Sequence, residues 1–315
     1  MKKVFRLYII FLISNSTTAQ QVGEFSMSNV YNIYNFNPAA AGLQENGVLN
    51  LQFAKIYDQV PSSPTIGAVS FNSRMKNGYS AIGAKVLHQR FNYSGITSAN
   101  ISYTQRFDFN NKKDVFLNLG IAAGVINRYI NFTGSNVIVS DPQLLQNNGS
   151  AFNFDLGFGA VFKAKGFMLH TSIQQIPGVN SQIVSNGSTS VSNFQVNPNY
   201  FIGVKQTCKV GKGKKNSYLE PSVLMNLTKG LEPVLDAYLS YYANDVFGVF
   251  GGVKLVDFDN YPTNSFTLGA SCKIEKKVQL AYCFRTFARD DFRSALGNTH
   301  EIMVSYHFLK PVRTR

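Results

Sequence analysis

Between residues 47 and 309 the chain repeats one pattern, an alternation of apolar and polar residues with period two, in fourteen separate segments. The last of them, "HEIMVSYHF", shows it most plainly. Ile302, Val304, Tyr306 and Phe308 fall on one side of a strand, and Glu301, Met303, Ser305 and His307 on the other. The same phase puts Val278, Leu280, Tyr282 and Phe284 outward with Gln279, Ala281, Cys283 and Arg285 inward, and Phe266, Leu268, Ala270, Cys272 and Ile274 outward one strand earlier. Segments close to the ~10 residues that a tilted strand needs to cross a bilayer, even in number, are the requirement for a closed antiparallel barrel with both ends on one rim.

The connections provide an independent test, because such a barrel has short turns on one rim and long loops on the other. All six even-to-odd connections are short: "RMKNG", "DFNNKKD", "KAKG", "GKGKKN", "AND" and "EKK". The odd-to-even ones are mostly long: "KIYDQVPSSP", "HQRFNYSG", Arg128 to Ala151, Ile176 to Asn199, "VDFDNYPTN" and "TFARDDFRSALGN". Only "TKG", after the ninth segment, breaks the parity. The expected fold is therefore all-β, a transmembrane antiparallel outer-membrane β-barrel of about 14 strands, with short periplasmic turns and long extracellular loops. Glycines 120, 124, 157, 159, 248, 251, 252 and 269 fall inside strands and are read as relief where strands bend.

The ends fit an exported chain. "MKK", the apolar run "VFRLYIIFLI" and small residues at Thr17 and Ala19 read as a signal peptide over residues 1–19, cleaved after Ala19, and the run is too short to span a membrane as a helix. Residues 20–46 form a polar lead, 47–309 the barrel, and 310–315 a basic tail. The three cysteines lack CxxC spacing and are expected to be free; a hairpin turning near Glu275 and Lys276 would set Cys272 opposite Gln279 rather than Cys283.

Candidate chemistry is sparse. His300 and Glu301 lack the second histidine of a zincin helix and sit on a strand, so no metal site is expected. His170 and Ser172 share a strand face at a spacing similar to that of outer-membrane phospholipase A, but that face is the lumen and no third residue completes a triad. His88 and His307 read as polar residues at strand ends. Asp290 and Asp291, flanked by Arg289 and Arg293, read as solvated loop charges. "GKGKKN" lacks the ending of a phosphate-binding loop. No catalytic residue, cofactor or metal is expected, and the chain is not read as an enzyme.

Charge is distributed unevenly on a chain whose formal charge is +13. Lys76, Lys112, Lys113, Lys163, Lys165, Lys209, Lys212, Lys214, Lys215, Lys276 and Lys277, with the tail residues Lys310, Arg313 and Arg315, map to the short-turn rim. That edge reads either as ordinary solubilising charge or as a docking rim for an acidic periplasmic partner, and nucleic acid is not expected there.

"FSMSNVYNIYNFNPAAAG" resembles the opening of the PorP/SprF family of type IX secretion system membrane proteins, whose Asn-Pro-Ala-x-Ala-Gly signature matches Asn37, Pro38, Ala39, Ala41 and Gly42. "GNTHEIMVSY" is similar to that family's closing Gly-x-His-Glu-Ile strand at Gly297, His300, Glu301 and Ile302, with Asn298 and Thr299 lengthening the spacing by one residue. Pro38 fixes its own φ and biases Asn37 to an extended form, and small residues would let the segment pack closely, against the lumen wall near the first strand.

The resemblance implies an outer-membrane component of a Bacteroidetes secretion and gliding-motility apparatus. Such a barrel would bind, help export or anchor a cell-surface adhesin with a C-terminal sorting domain. Its partners would be that cargo at the external loops, type IX components at the basic rim, and outer-membrane lipid. The alternatives are a passive porin or small-solute channel, which needs an open lumen, and an outer-membrane hydrolase using His170. Whether residues 20–46 plug the lumen stays open at this level.

Overall fold

The computed structural model describes residues 25–44, 47–110, 113–131, 149–176, 180–185, 188–195, 197–210, 217–256 and 264–308. The wall is built from β1 (Val48–Lys55), β2 (Thr65–Arg74), β3 (Ser80–Phe91), β4 (Ser94–Asp108), β5 (Val115–Ile130), β6 (Gly149–Ala164) and β7 (Phe167–Ile176). It continues through β10 (Asn199–Gln206), β12 (Tyr218–Thr228), β13 (Val234–Ala243), β14 (Phe247–Val256), β15 (Ser265–Ile274), β16 (Val278–Phe287) and β17 (Thr299–His307). Each strand pairs antiparallel with the next, and β17 closes on β1 from Val48 opposite His307 to Lys55 opposite His300. Fourteen strands thus form a closed barrel with no free edge, as hydrocarbon demands of every backbone N–H and C=O.

The expected phase holds. Phe266, Leu268, Leu280, Tyr282, Ile302 and Tyr306 lie on the outer face and are exposed, while Thr267, Gln279, Ala281, Cys283, Glu301 and Ser305 are buried inside. Two successive residues in the left-handed region, Asn244 with Asp245 and Glu275 with Lys276, make the short turns after β13 and β15. The second turn shifts the expected register by one, setting Cys272 opposite Leu280, because three residues separate the closing pair Ile274 and Val278. All three cysteines are free.

Three details lie beyond the alternation pattern. The connection expected between Ile176 and Asn199 carries a hairpin, β8 (Asn180–Ser185) and β9 (Ser188–Gln195), which leans on the end of β6 through Gly149 and Ser185. A two-residue β11 (Cys208–Lys209) continues β10 along β12. Among the described residues there are two short helices, α1 (Ser26–Tyr31) ahead of β1 and α2 (Asp290–Leu296) between β16 and β17. No helix among the described residues is long and apolar enough to cross a membrane.

The sheet is lopsided. β4, β5 and β6 run to 15 or 16 residues, against 8 in β1 and 9 in β17, so the wall stands taller on one side at the long-loop rim. On the opposite side the first and last long loops are tied together. Asp58 N–H donates to Asn298 O at 2.9 Å, the Asp58 carboxylate accepts from Asn298 N–H at 2.7 Å, and Tyr57 stacks on Phe287.

Candidate functional site

The polar lead is an internal stopper. Residues 25–42 thread the lumen as α1, a 3-10 turn at Ile33–Asn35 and a second at Pro38–Ala40, and nearly every side chain in them is buried. The segment starts beside the long-loop half of the wall, where Phe25 packs with Ala54, Ile66, Ala68 and Leu87. It finishes at the short-turn rim, where Arg74, the last residue of β2, donates to the Gly42 carbonyl at 2.8 Å. The lumen of the barrel is therefore blocked by residues 25–42 of the chain itself.

Isolated six-residue helices are not stable, so α1 needs external partners at both ends. The Glu301 carboxylate accepts from Ser26 N–H at 2.8 Å and Met27 N–H at 3.0 Å, capping the helix start with negative charge. Arg285 holds the same carboxylate at 3.3 Å. At the other end the Lys205 ammonium donates to Val30 O at 2.9 Å and pairs with Glu220 at 3.0 Å. Lys85 donates to Asn35 O at 2.5 Å, at the end of the first 3-10 turn. Each charge has the sign that the local backbone dipole favours.

The signature residues then dock on the β4–β7 wall rather than near the first strand. Asn37 accepts from Ala39 N–H at 2.9 Å and donates its amide to Ala160 O and Thr171 O at 3.2 and 3.1 Å. Thr104 donates to Pro38 O, Asn118 to Ala39 O and Ser172 to Phe36 O, at 2.8, 3.1 and 2.7 Å. Ala39, Ala40 and Ala41 pack with Val161, Met168, Phe201 and Leu224. Gly42 takes φ +71° and donates to Asn72, a conformation that a side chain would strain.

This docking also explains two of the strand glycines. Gly120 and Gly159 face each other across β5 and β6, and a Cβ on either would overlap Ala39 or Asn37. They make room for another backbone, so the reading as bend relief is replaced at these two positions by close approach.

The closing signature divides between the two faces. Glu301 caps α1 from inside, whereas Ile302 lies on the exposed outer face. His300, also outward, accepts or donates to Tyr282 OH at 2.8 Å and meets Asp58 at 3.1 Å. Gly297 ends α2 at φ +78°, where a Cβ would overlap the Asp58 carboxylate. The Asn298 N–H, against desolvation and with help from the His300 contact, holds the Asp58 carboxyl below its usual range.

Other expectations resolve as follows. Ser172 is committed to the stopper, and the His170 ring faces Phe36 with no hydrogen-bond partner among the described residues, so the two form no nucleophile pair. Asp290 and Asp291 pair with Arg293 and Arg289 at the start of α2. No metal-ligand cluster occurs among the described residues. The inward faces also carry ion pairs, Arg285–Glu301, Lys205–Glu220 and Lys254–Asp236. Of the basic rim, Lys113, Lys276 and Lys277 sit at short turns, whereas Lys112, Lys212, Lys214 and Lys215 fall outside the described residues. Lys85 and Lys205, which the sequence analysis missed, stand out only as lysines in lumen phase.

Solved barrels share the architecture. A mutant of the TodX monoaromatic hydrocarbon channel superposes with a TM-score of 0.52 at 8% identity, over 89% of this chain and 93% of that one. A Pseudomonas aeruginosa FadL homologue gives 0.52 at 9%, over 89% and 94%, and the CymD monoaromatic hydrocarbon channel 0.50 at 12%, over 90% and 93%. At such identities the likeness is one of fold. No curated protein matches the sequence. The family model described as type IX secretion system membrane protein PorP/SprF matches residues 17–306, a span that includes the stopper and the strand that caps it, and the chain belongs to that family.

Proposed function

We propose that this barrel is an outer-membrane component of the type IX secretion and gliding apparatus that binds, helps export or anchors a cell-surface protein carrying a C-terminal sorting domain. The observation that carries this reading is the blocked lumen. A diffusion pore needs an open path, whereas here both family signatures are spent on seating a stopper across it. A blocked barrel offers its rims for function. The tall β4–β6 side with the β8–β9 hairpin offers a platform for cargo on the long-loop side, and the lysine-bearing turns would face the periplasm.

The test is purification from gently solubilised outer membranes at native expression, with mass spectrometry of everything retained. Recovery of a large surface protein ending in a sorting domain, or of type IX components, is expected. Recovery of the barrel alone after mild cross-linking, together with steady conductance in planar bilayers, would move the passive-channel reading to first place.

A further inference from the structure

Beneath the stopper the described residues enclose a vestibule of ≈ 350 Å³, within the ~300–1,000 Å³ range of ligand pockets. Its wall residues come from the short-turn ends of their strands: Val48 opens β1, Tyr218 opens β12, Lys163 is the last residue but one of β6, and Lys273 holds the same place in β15. The vestibule therefore opens toward the short-turn rim. Its roof is the stopper itself, through Tyr31 and Tyr34.

The lining has a definite chemistry. Three lysines, Lys163, Lys205 and Lys273, face one carboxylate, Glu220. That carboxylate is already committed to Lys205 and to the Thr207 hydroxyl at 2.9 Å. The ammonium groups of Lys163 and Lys273 make no hydrogen bond or salt bridge among the described residues, and Glu220, the carboxylate that acts on Lys163, is already paired with Lys205, so two ammonium groups line a cavity that carries excess positive charge. Beside them stands a tyrosine wall, with Tyr218 stacked on Tyr242 at 4.6 Å and Tyr31 set edge-on to Tyr242. Aromatic faces supply contact area at low entropic cost, and lysines select anions as point charges.

We infer that this vestibule is a binding site for a carboxylate-bearing extended peptide, an acidic segment of a partner inserted from the short-turn side. The inference deepens the docking reading and rests on it only for the direction from which the partner arrives. It is distinct from the exposed rim, because Lys163, which the sequence placed on that rim, lines the cavity inside the strand ends together with Lys205 and Lys273. Its roof makes occupancy felt by the stopper, since Lys205 also holds Val30 O.

The chain contains no tryptophan, so a tryptophan followed by five glutamates is a background-free fluorescent probe. With the full-length purified barrel at low salt, saturable binding by anisotropy is expected. A Lys163→Gln/Lys273→Gln variant should weaken it at least tenfold, and the rim control Lys76→Gln/Lys277→Gln less than twofold. A Lys163→Glu/Lys273→Glu variant should instead take up a tryptophan–pentalysine probe, which a misfolded barrel would not. Absence of binding, equal loss in the rim control, or a charge-swapped barrel that binds neither probe would overturn the proposal. Displacement by equimolar inorganic phosphate would also overturn it, in favour of a simple anion site. A barrel that binds the probe yet retains no partner from membranes keeps the vestibule and loses the docking role.

Discussion

Residues 26–35 and 37–42 lie end to end in one lumen, yet the wall grips them by different means. The first stretch is held by ionised side chains at helix and turn ends: Glu301 with Arg285 behind it, Lys205 and Lys85. The second is held, apart from Arg74 at its exit, by neutral donors and by absent side chains at Gly120 and Gly159. A charged grip concentrates its strength in a few atoms, and a neutral, shape-based grip spreads it. The first stretch should therefore be vulnerable to loss of one group, and the second to the arrival of one.

Replacing Glu301 with glutamine tests the concentrated grip most severely. It leaves Arg285 buried beside a neutral group and removes the charge at the α1 start, so a loss of about 3–5 kcal/mol is expected. Amide exchange at Ser26 and Met27 should accelerate by at least a hundredfold; exchange unchanged from wild type would show that the cap contributes nothing. Gly159→Val strikes the second stretch by intrusion, with a cost of about 1–3 kcal/mol from overpacking. Proteolytic nicking between residues 25 and 42 should appear in that variant and not in wild type.

Removal from the second stretch should be milder. Asn37→Ala gives up the turn cap and two donors to wall carbonyls, for about 1–2 kcal/mol. An unfolding midpoint that falls as far as in the Glu301 variant would erase the contrast between the two grips. Outside the lumen, the loop clasp at Asp58 supplies the smallest effect, and its sign is fixed. The folded carboxyl titrates below its unfolded value, so its stabilisation is present above pH ~4 and fades as the pH falls through the lower folded value. Exchange at the Asn298 amide should quicken only in that acid range, and Asp58→Asn should remove the dependence.

The wall was legible in the sequence because period two survives any strand tilt, and loop lengths sort by rim whatever the residues are. Phase alone put Glu301 inside and Ile302 outside. The stopper was not legible for a physical reason: its partners lie on β1, β2, β3, β4, β5, β6, β7, β10, β15 and β17, and only the closed cylinder brings them to one place. Asn37 was visible as a signature residue, but Ala160 O and Thr171 O, its acceptors, are backbone atoms that carry no residue code. The hairpin β8–β9 escaped because its segments are short and polar, lacking the apolar face that lipid imposes on the wall.

The bond between Ser26 and Glu301 joins positions 275 residues apart, and Glu301 belongs to the final strand. Contacts of such separation form late, since most of the intervening chain must be organised first. The cap on α1 therefore reports the order of assembly: a cylinder lacking its last strand cannot lock its stopper. Sealing the seam and closing the conduit become one event, and a chain cut short before β17 would betray itself by a loose beginning.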